Sequence, residues 1–181
     1  PTHCYDSSLM NDPLKLSFLK KNCEFETLLD KKINIQNQDL VFYDKNSEVI
    51  NLAGVVGGKN TACNNNTKSV IIECAHFDPE TIIGKSVKYD VNSDAAHKFE
   101  RSTDPYCHDF VLRRFIYIVE NHTNIRNIEL YSKTYKKIKT KEIPLNISRI
   151  NRVLGTNIIE SECLKYLKKL GFTIIKNTIK I

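Results

Sequence analysis

Ser69-Val-Ile-Ile-Glu-Cys-Ala-His-Phe-Asp-Pro79 is the stretch that decides how this 181-residue chain is read. Residues 69–75 form an apolar, β-branched run with the composition of a strand, interrupted once, by Glu73. Asp78 then offers a helix N-cap with Pro79 at the first helical position, which predicts a short helix over residues 79–88. A carboxylate inside an apolar strand is costly unless it is paired or hydrogen-bonded. Glu73 therefore has two readings: a pocket carboxylate that accepts a hydrogen bond from a ligand, or a structural Glu satisfied by a backbone amide or a nearby Lys.

Working outward, residues 14–19, 40–43 and 49–53 are β-prone runs, the last leading into Gly54-Val-Val-Gly57-Gly58, and they read as strands joined by long polar loops. Gly57-Gly58 permits either a positive φ or the close approach of a ligand to the backbone, but no dinucleotide fingerprint or phosphate-binding Gly-Lys-Ser/Thr accompanies it. Hydrolase templates such as a Gly-x-Ser-x-Gly elbow or a His-Glu-x-x-His helix are absent too. Asp104-Pro105 repeats the helix-start signal, and Phe110, Leu112, Phe115, Ile116 and Val119 recur near helical spacing, predicting the longest helix over residues 105–121. A basic stretch, residues 133–141, reads as a linker. Beyond it come a strand starting at Pro144, a helix over 148–154 closed by Gly155, a helix over 161–170 capped by Ser161 and closed by Gly171, and a strand over 172–175.

Composition narrows the function classes. With 41% hydrophobic and 27% charged residues, 6 Gly and 5 Pro, the chain is globular. No run approaches the roughly 18 apolar residues of a membrane helix, so a soluble, cytoplasmic protein without membrane contact is expected. Both ends read as cut, as expected for a piece of a longer polypeptide. Six cysteines lack zinc-ligand spacing and read as free thiols with no metal; Cys107-His108 and His3-Cys4 have no second pair. Residues 1–110 carry 12 Lys/Arg against 16 Asp/Glu, whereas residues 111–181 carry 15 against 5. A basic half on an acidic body suggests a polyanionic partner, with merely solvated lysines as the alternative, and Lys133, Lys136, Lys137, Lys139, Lys141, Arg149 and Arg152 are its candidates for contact with phosphates or other acidic surfaces.

Four segments together resemble a known family. Leu52-Ala-Gly-Val-Val-Gly-Gly58, Thr67 to Pro79, and Ser93-Asp-Ala-Ala-His-Lys-Phe-Glu-Arg-Ser-Thr-Asp-Pro105 are similar in order and spacing to the editing module of the bacterial phenylalanyl-tRNA synthetase β subunit. Pro1-Thr-His-Cys-Tyr-Asp6 matches that module's Gln-Pro-hydrophobic-His-Ala-Phe-Asp segment. Ile143 to Gly155 and Leu167 to Phe172 look like the start of the helical module that follows it.

The resemblance implies an α+β fold: a layered, β-rich editing module with helices on one side over residues 1–130, a basic linker at 131–142, and part of a small winged-helix-like three-helix module at 143–181. It implies hydrolysis of tyrosine wrongly esterified to tRNA(Phe). It assigns Glu73 to the phenolic hydroxyl, Gly57 to backbone contact with the substrate, Ala95 to the ligand's side and, as catalytic residues, His3 and the hydroxyl residue preceding Asp94, Ser93. His3 falls on a pocket histidine that orients water or holds the terminal ribose, with a satisfied structural His as the alternative. No cofactor belongs to this segment; ATP and magnesium belong to the complete synthetase, whose α subunit would make a two-α, two-β heterotetramer. Departures are Ser93 for Thr, Ala96 for Ser, Lys98 for Arg, and Ser102-Thr103 for Gly-Val. They keep open a non-catalytic structural or RNA-binding module with a decayed editing site.

Overall fold

Alternating side chains decide which strands face the core. In the computed structural model, which describes residues 1–10, 13–135 and 141–180, the chain divides into units of residues 1–128 and 129–181. The first runs β1 (Thr2–Asp6), β2 (Lys15–Phe18), β3 (Cys23–Glu26), β4 (Lys32–Ile35), β5 (Leu40–Tyr43), β6 (Val49–Leu52), β7 (Val56–Gly57) and β8 (Val70–Cys74), then α1 (Pro79–Ile82), α2 (Lys85–Tyr89), α3 (Asp94–Phe99) and α4 (His108–Glu120). A four-stranded antiparallel sheet has the order β2-β5-β6-β7, beside the β3-β4 hairpin and the antiparallel pair β1-β8. The architecture is α+β. Tyr5, Ile35, Val41, Ile50, Leu52, Phe77, Ile82 and Phe99 belong to one continuous core, in which the Phe77 ring meets Phe99 edge-on at 4.9 Å.

Three expectations change here. The polar loop between the first two expected strands contains the β3-β4 hairpin, where charged residues alternate with Phe25, Ile33 and Ile35 so that one face alone is buried. The helix expected over 79–88 splits at Gly84, which takes φ +75°; the break lets Ile82 and Tyr89 both reach the core. Asp78 does cap α1, accepting from the Glu80 amide. The helix expected from Pro105 starts at His108, because Asp104 Oδ1 accepts from the Tyr106 amide at 2.8 Å and closes a turn first. None of its residues is fully buried, and Phe110 is exposed.

The second unit contains β9 (Glu142–Pro144), α5 (Ile147–Leu154), α6 (Glu160–Lys169), β10 (Thr173–Ile175) and β11 (Thr178–Lys180), with an antiparallel sheet in the order β10-β11-β9. Of the three helices implied by the resemblance, its described residues hold two, packed with this small sheet. Asn146 caps α5 through the Arg149 amide, and Gly155 ends it at φ +65°. Ser161 lies inside α6 and does not cap it; Ile159 precedes the helix without a side-chain hydrogen bond. Lys176 and Asn177, both at positive φ, make the two-residue turn joining β10 to β11. Lys136, Lys137 and Lys139 lie outside the described residues.

Asp39 ties helices to sheet. Its buried carboxylate accepts from Lys85 Nζ, Lys88 Nζ and the Tyr89 hydroxyl of α2, just before β5 begins. Burial raises its pKa, but these hydrogen bonds together outweigh burial and hold it below the ordinary value. The stability it contributes is therefore complete above the unfolded-state pKa and is lost as pH falls through the depressed folded value. Urea unfolding of Asp39→Ala is expected to show a loss of about 2 to 3 kcal/mol at pH 7, less than a sealed pair would lose because both lysines keep contact with water. The variant should also lose this component of acid sensitivity.

Candidate functional site

Strand register assembles the site from two ladders. In β1-β8, His3 stands opposite Glu73; in β6-β7, Asn51 stands opposite Gly57. Two-residue alternation puts His3 and Tyr5 on one face of β1. Tyr5, fully buried, donates its hydroxyl proton to Glu73 Oε2 at 2.7 Å and accepts from Asn51 Nδ2 at 2.8 Å. Asn51, Tyr5 and Glu73 thus form one hydrogen-bonded chain from β6 through β1 to β8. The other amide atom, Asn51 Oδ1, is buried without a hydrogen-bond partner among the described residues.

His3 packs edge-on against Tyr5, with ring centroids 4.5 Å apart. A Cβ at Gly57 would collide with His3 Cε1 and Nε2 and come within 3.0 Å of Leu28 Cδ1. Close approach, by His3, is therefore what this glycine permits. Ser93 caps α3: its hydroxyl accepts from the Ala96 amide at 3.1 Å and donates to the Val55 carbonyl at 2.6 Å. The start of α3 is thereby tied to the residue before β7. Ala95 lies in the first turn of α3, partly buried against the core. Register brings His3, Glu73 and Gly57 together, and Ser93 joins them through the backbone of Val55 to Gly57. No hydrogen bond links Ser93 or Ala95 to Glu73 among the described residues.

The electrostatics set the charge states. Burial pushes the Glu73 carboxyl up to about 7, opposed by the Tyr5 hydrogen bond. Burial, followed by the negative charge and hydrogen bond of Glu73, pushes the Tyr5 phenol far above its ordinary value, so it keeps its proton. Burial lowers the His3 pKa, leaving a neutral imidazole at pH 7. The group that changes charge near neutrality is a hydrogen-bond acceptor beside an uncharged base.

Sequence reasoning missed Tyr5 and Asn51. Tyr5 carried a signal, since it stands where the family segment has Phe; Asn51 carried a weaker one, a lone amide in the apolar run 49–53. Among the departures, Ala96 is fully buried, Lys98 is exposed, and Thr103 Oγ1 meets His76 Nδ1 at 3.2 Å. A cavity of about 280 Å³ lined by Glu24, Phe25, Glu26, Val49, Lys59 and Asn60 includes none of the five expected site residues. Among the described residues no cluster of His, Cys, Asp and Glu could hold a metal, and no helix is long and apolar enough to cross a membrane. All six cysteines are free.

A family model described as the B3/4 domain matches residues 1–124, which include every residue of this site. The chain belongs to the B3/4 domain family. Its relatives include the phenylalanine–tRNA ligase β subunits of Francisella tularensis, 29% identical over 96% of this chain, Coxiella burnetii, 31% over 97%, and Fusobacterium nucleatum, 30% over 96%. The matched stretch covers 22% of each relative, so this B3/4 chain spans about a fifth of their length and corresponds to a segment of that β subunit.

Two measurements probe the geometry of this B3/4 site. Gly57→Ala should displace the His3 ring and cost about 1 to 3 kcal/mol in unfolding free energy, as overpacking of a filled site does; a crystal structure of the variant would locate the ring. Glu73 binds its proton more tightly folded than unfolded, so its ionisation lowers stability as pH rises from the ordinary 4.5 to about 7. Glu73→Gln should remove that decline, worth about 3 kcal/mol, in urea titrations across this range.

Proposed function

We propose that this chain is the editing segment of a phenylalanine–tRNA ligase and hydrolyses tyrosine wrongly esterified to tRNA(Phe). The observation that supports this reading is Glu73, a partly buried carboxylate within an apolar strand, with a phenol on one oxygen at 2.7 Å. The group that must be told from the correct amino acid is itself a phenol. A carboxylate so placed favours tyrosine because phenylalanine would leave its second oxygen without a hydrogen bond in a partly buried site.

Hydrolysis requires water to attack the ester carbonyl carbon, and the ribose oxygen then leaves with a proton. His3, neutral and fixed between Gly57 and Tyr5, is suited to orient that water or hold the terminal ribose. Gly57 contributes by leaving room for the His3 ring, and Ala95 is the small side chain proposed to lie beside the ligand. Ser93 contributes by anchoring α3, since its proton already lies on the Val55 carbonyl. Aminoacylation, with its ATP and magnesium, belongs to an α subunit in a two-α, two-β cytoplasmic assembly. Lys133, Lys141, Arg149 and Arg152, all exposed, are the proposed contacts with tRNA phosphates or the rest of the enzyme.

The test is deacylation of tyrosyl-tRNA(Phe) by the complete enzyme. Glu73→Ala is expected to lose tyrosine selectivity by about 1.5 to 3 kcal/mol, the size of a charge-assisted hydrogen bond. Absence of hydrolysis above the uncatalysed rate by the wild-type enzyme would leave the non-catalytic, RNA-binding reading in its place. For the basic residues, tRNA affinity measured over a salt series should fall less steeply when Arg149 and Arg152 become Ala, by roughly 0.7 to 0.9 in slope for each lost phosphate contact. An unchanged slope would remove these two from the RNA interface.

A further inference from the structure

Tyr5 plays no part in the reaction outlined above, yet it is the one hydrogen-bond partner of Glu73 among the described residues. We propose that Tyr5 is the positioning residue of this site: its phenol, held by Asn51, clamps Glu73 Oε2 and leaves Oε1 to read the hydroxyl of a ligand. The identity of that ligand as a tyrosyl ester rests on the editing reading, whereas the clamp rests on the hydrogen bonds alone.

The donor count fixes the direction of the chain. A phenol has one proton, and because Asn51 Nδ2 donates to the Tyr5 oxygen at 2.8 Å, that proton is free to go to Glu73. Reversing the amide would present Asn51 Oδ1 to the phenol, which would then draw the proton away from Glu73. Full burial prevents Tyr5 from turning out to water. A carboxylate has about four lone-pair sites, so one phenol at Oε2 does not saturate it, and a ligand hydroxyl need not displace Tyr5. Phe at residue 5, as in the family segment quoted above, would carry no proton to fix the carboxylate. The Tyr5 ring also backs His3, so one side chain sets both polar walls of the site.

Tyr5 also favours the charged form of Glu73. The groups that bear on this carboxylate are Tyr5 and the opposing His3 from β1, Asn51 from β6 and the adjacent Cys74; Cys107, preceding α4 against the same strand, acts on Cys74. Burial opposes ionisation, and the Tyr5 hydrogen bond is the largest influence in its favour. Without that bond Glu73 should hold its proton to higher pH.

The experiment uses the full-length protein assembled with its partner subunit. Protonation of Glu73 is followed by infrared difference spectroscopy against Glu73→Gln, and tyrosyl- and phenylalanyl-tRNA(Phe) hydrolysis is followed over the same pH range. Tyr5→Phe is expected to raise the Glu73 midpoint above about 7, by about one pH unit. Selectivity for tyrosine at pH 7 should fall about tenfold and return as pH is raised. Asn51→Ala should move the midpoint the same way by less, because it weakens the chain one bond further off. An unmoved midpoint in folded Tyr5→Phe overturns the clamp, as does faster tyrosyl hydrolysis, which would mean that Tyr5 blocks the carboxylate. If Tyr5→Phe does not fold, an unmoved midpoint in Asn51→Ala overturns it. A midpoint that moves in an enzyme whose wild type hydrolyses no tyrosyl ester upholds the clamp and sinks the editing reading.

Discussion

The hydrogen bond from the Tyr5 phenol to the Glu73 carboxylate is the contact on which the first unit's polar interior turns. A carboxylate in this apolar strand is costly without a partner and would otherwise take up a proton. The phenol meets that carboxylate at 2.7 Å and is itself met by Asn51 at 2.8 Å, so side chains from three strands form one hydrogen-bonded chain. The chain crosses from the β2-β5-β6-β7 sheet to the β1-β8 pair, which apolar packing alone would join without choosing a register. Sliding β1 by one residue would send Tyr5 to the opposite face and leave Glu73 bare.

His3 and Gly57 follow from the same arrangement. With Tyr5 fixed, His3 two residues earlier shares its face, and the missing side chain at residue 57 gives its ring room. Helix packing then closes the other side. Ser93 spends its hydroxyl on the Val55 carbonyl and the Ala96 amide, while Asp39 gathers Lys85, Lys88 and Tyr89. These ties hold the first turn of α3 to the chain that leads into Gly57, so Ser93 acts on the site through geometry. Its loss of a methyl relative to Thr leaves both hydrogen bonds in place.

The second unit obeys a different balance. Its α5 buries no residue fully, Cys163 is the buried hydrophobic residue of α6, and Val153, Leu154 and Leu170 remain exposed. Local signals carry it: an Asn cap, glycines at helix ends and a two-residue turn between β10 and β11. Such features define elements within a few residues and need little long-range packing to form.

Much of the fold was legible because it depends on local chemistry. The runs at 40–43, 49–53 and 69–75 became strands, Asp78 capped a helix, and Gly155 ended one. Glu73 stood out because a charge in an apolar run needs a partner, and resemblance brought His3, Gly57, Ser93 and Ala95 into the same list of candidates. The sequence could not name the partner. Tyr5 and Asn51 lie 68 and 22 residues from Glu73 along the chain, and a hydrogen bond over that distance exists only once two ladders have set their registers. The β3-β4 hairpin was hidden because one of its faces is polar, and the break at Gly84 because Ile82 and Tyr89 answer to the core more than to helix propensity. Local composition determined which segments would be strands and helices and which carboxylate was out of place; tertiary packing alone decided that a phenol from the chain's first strand would hold it.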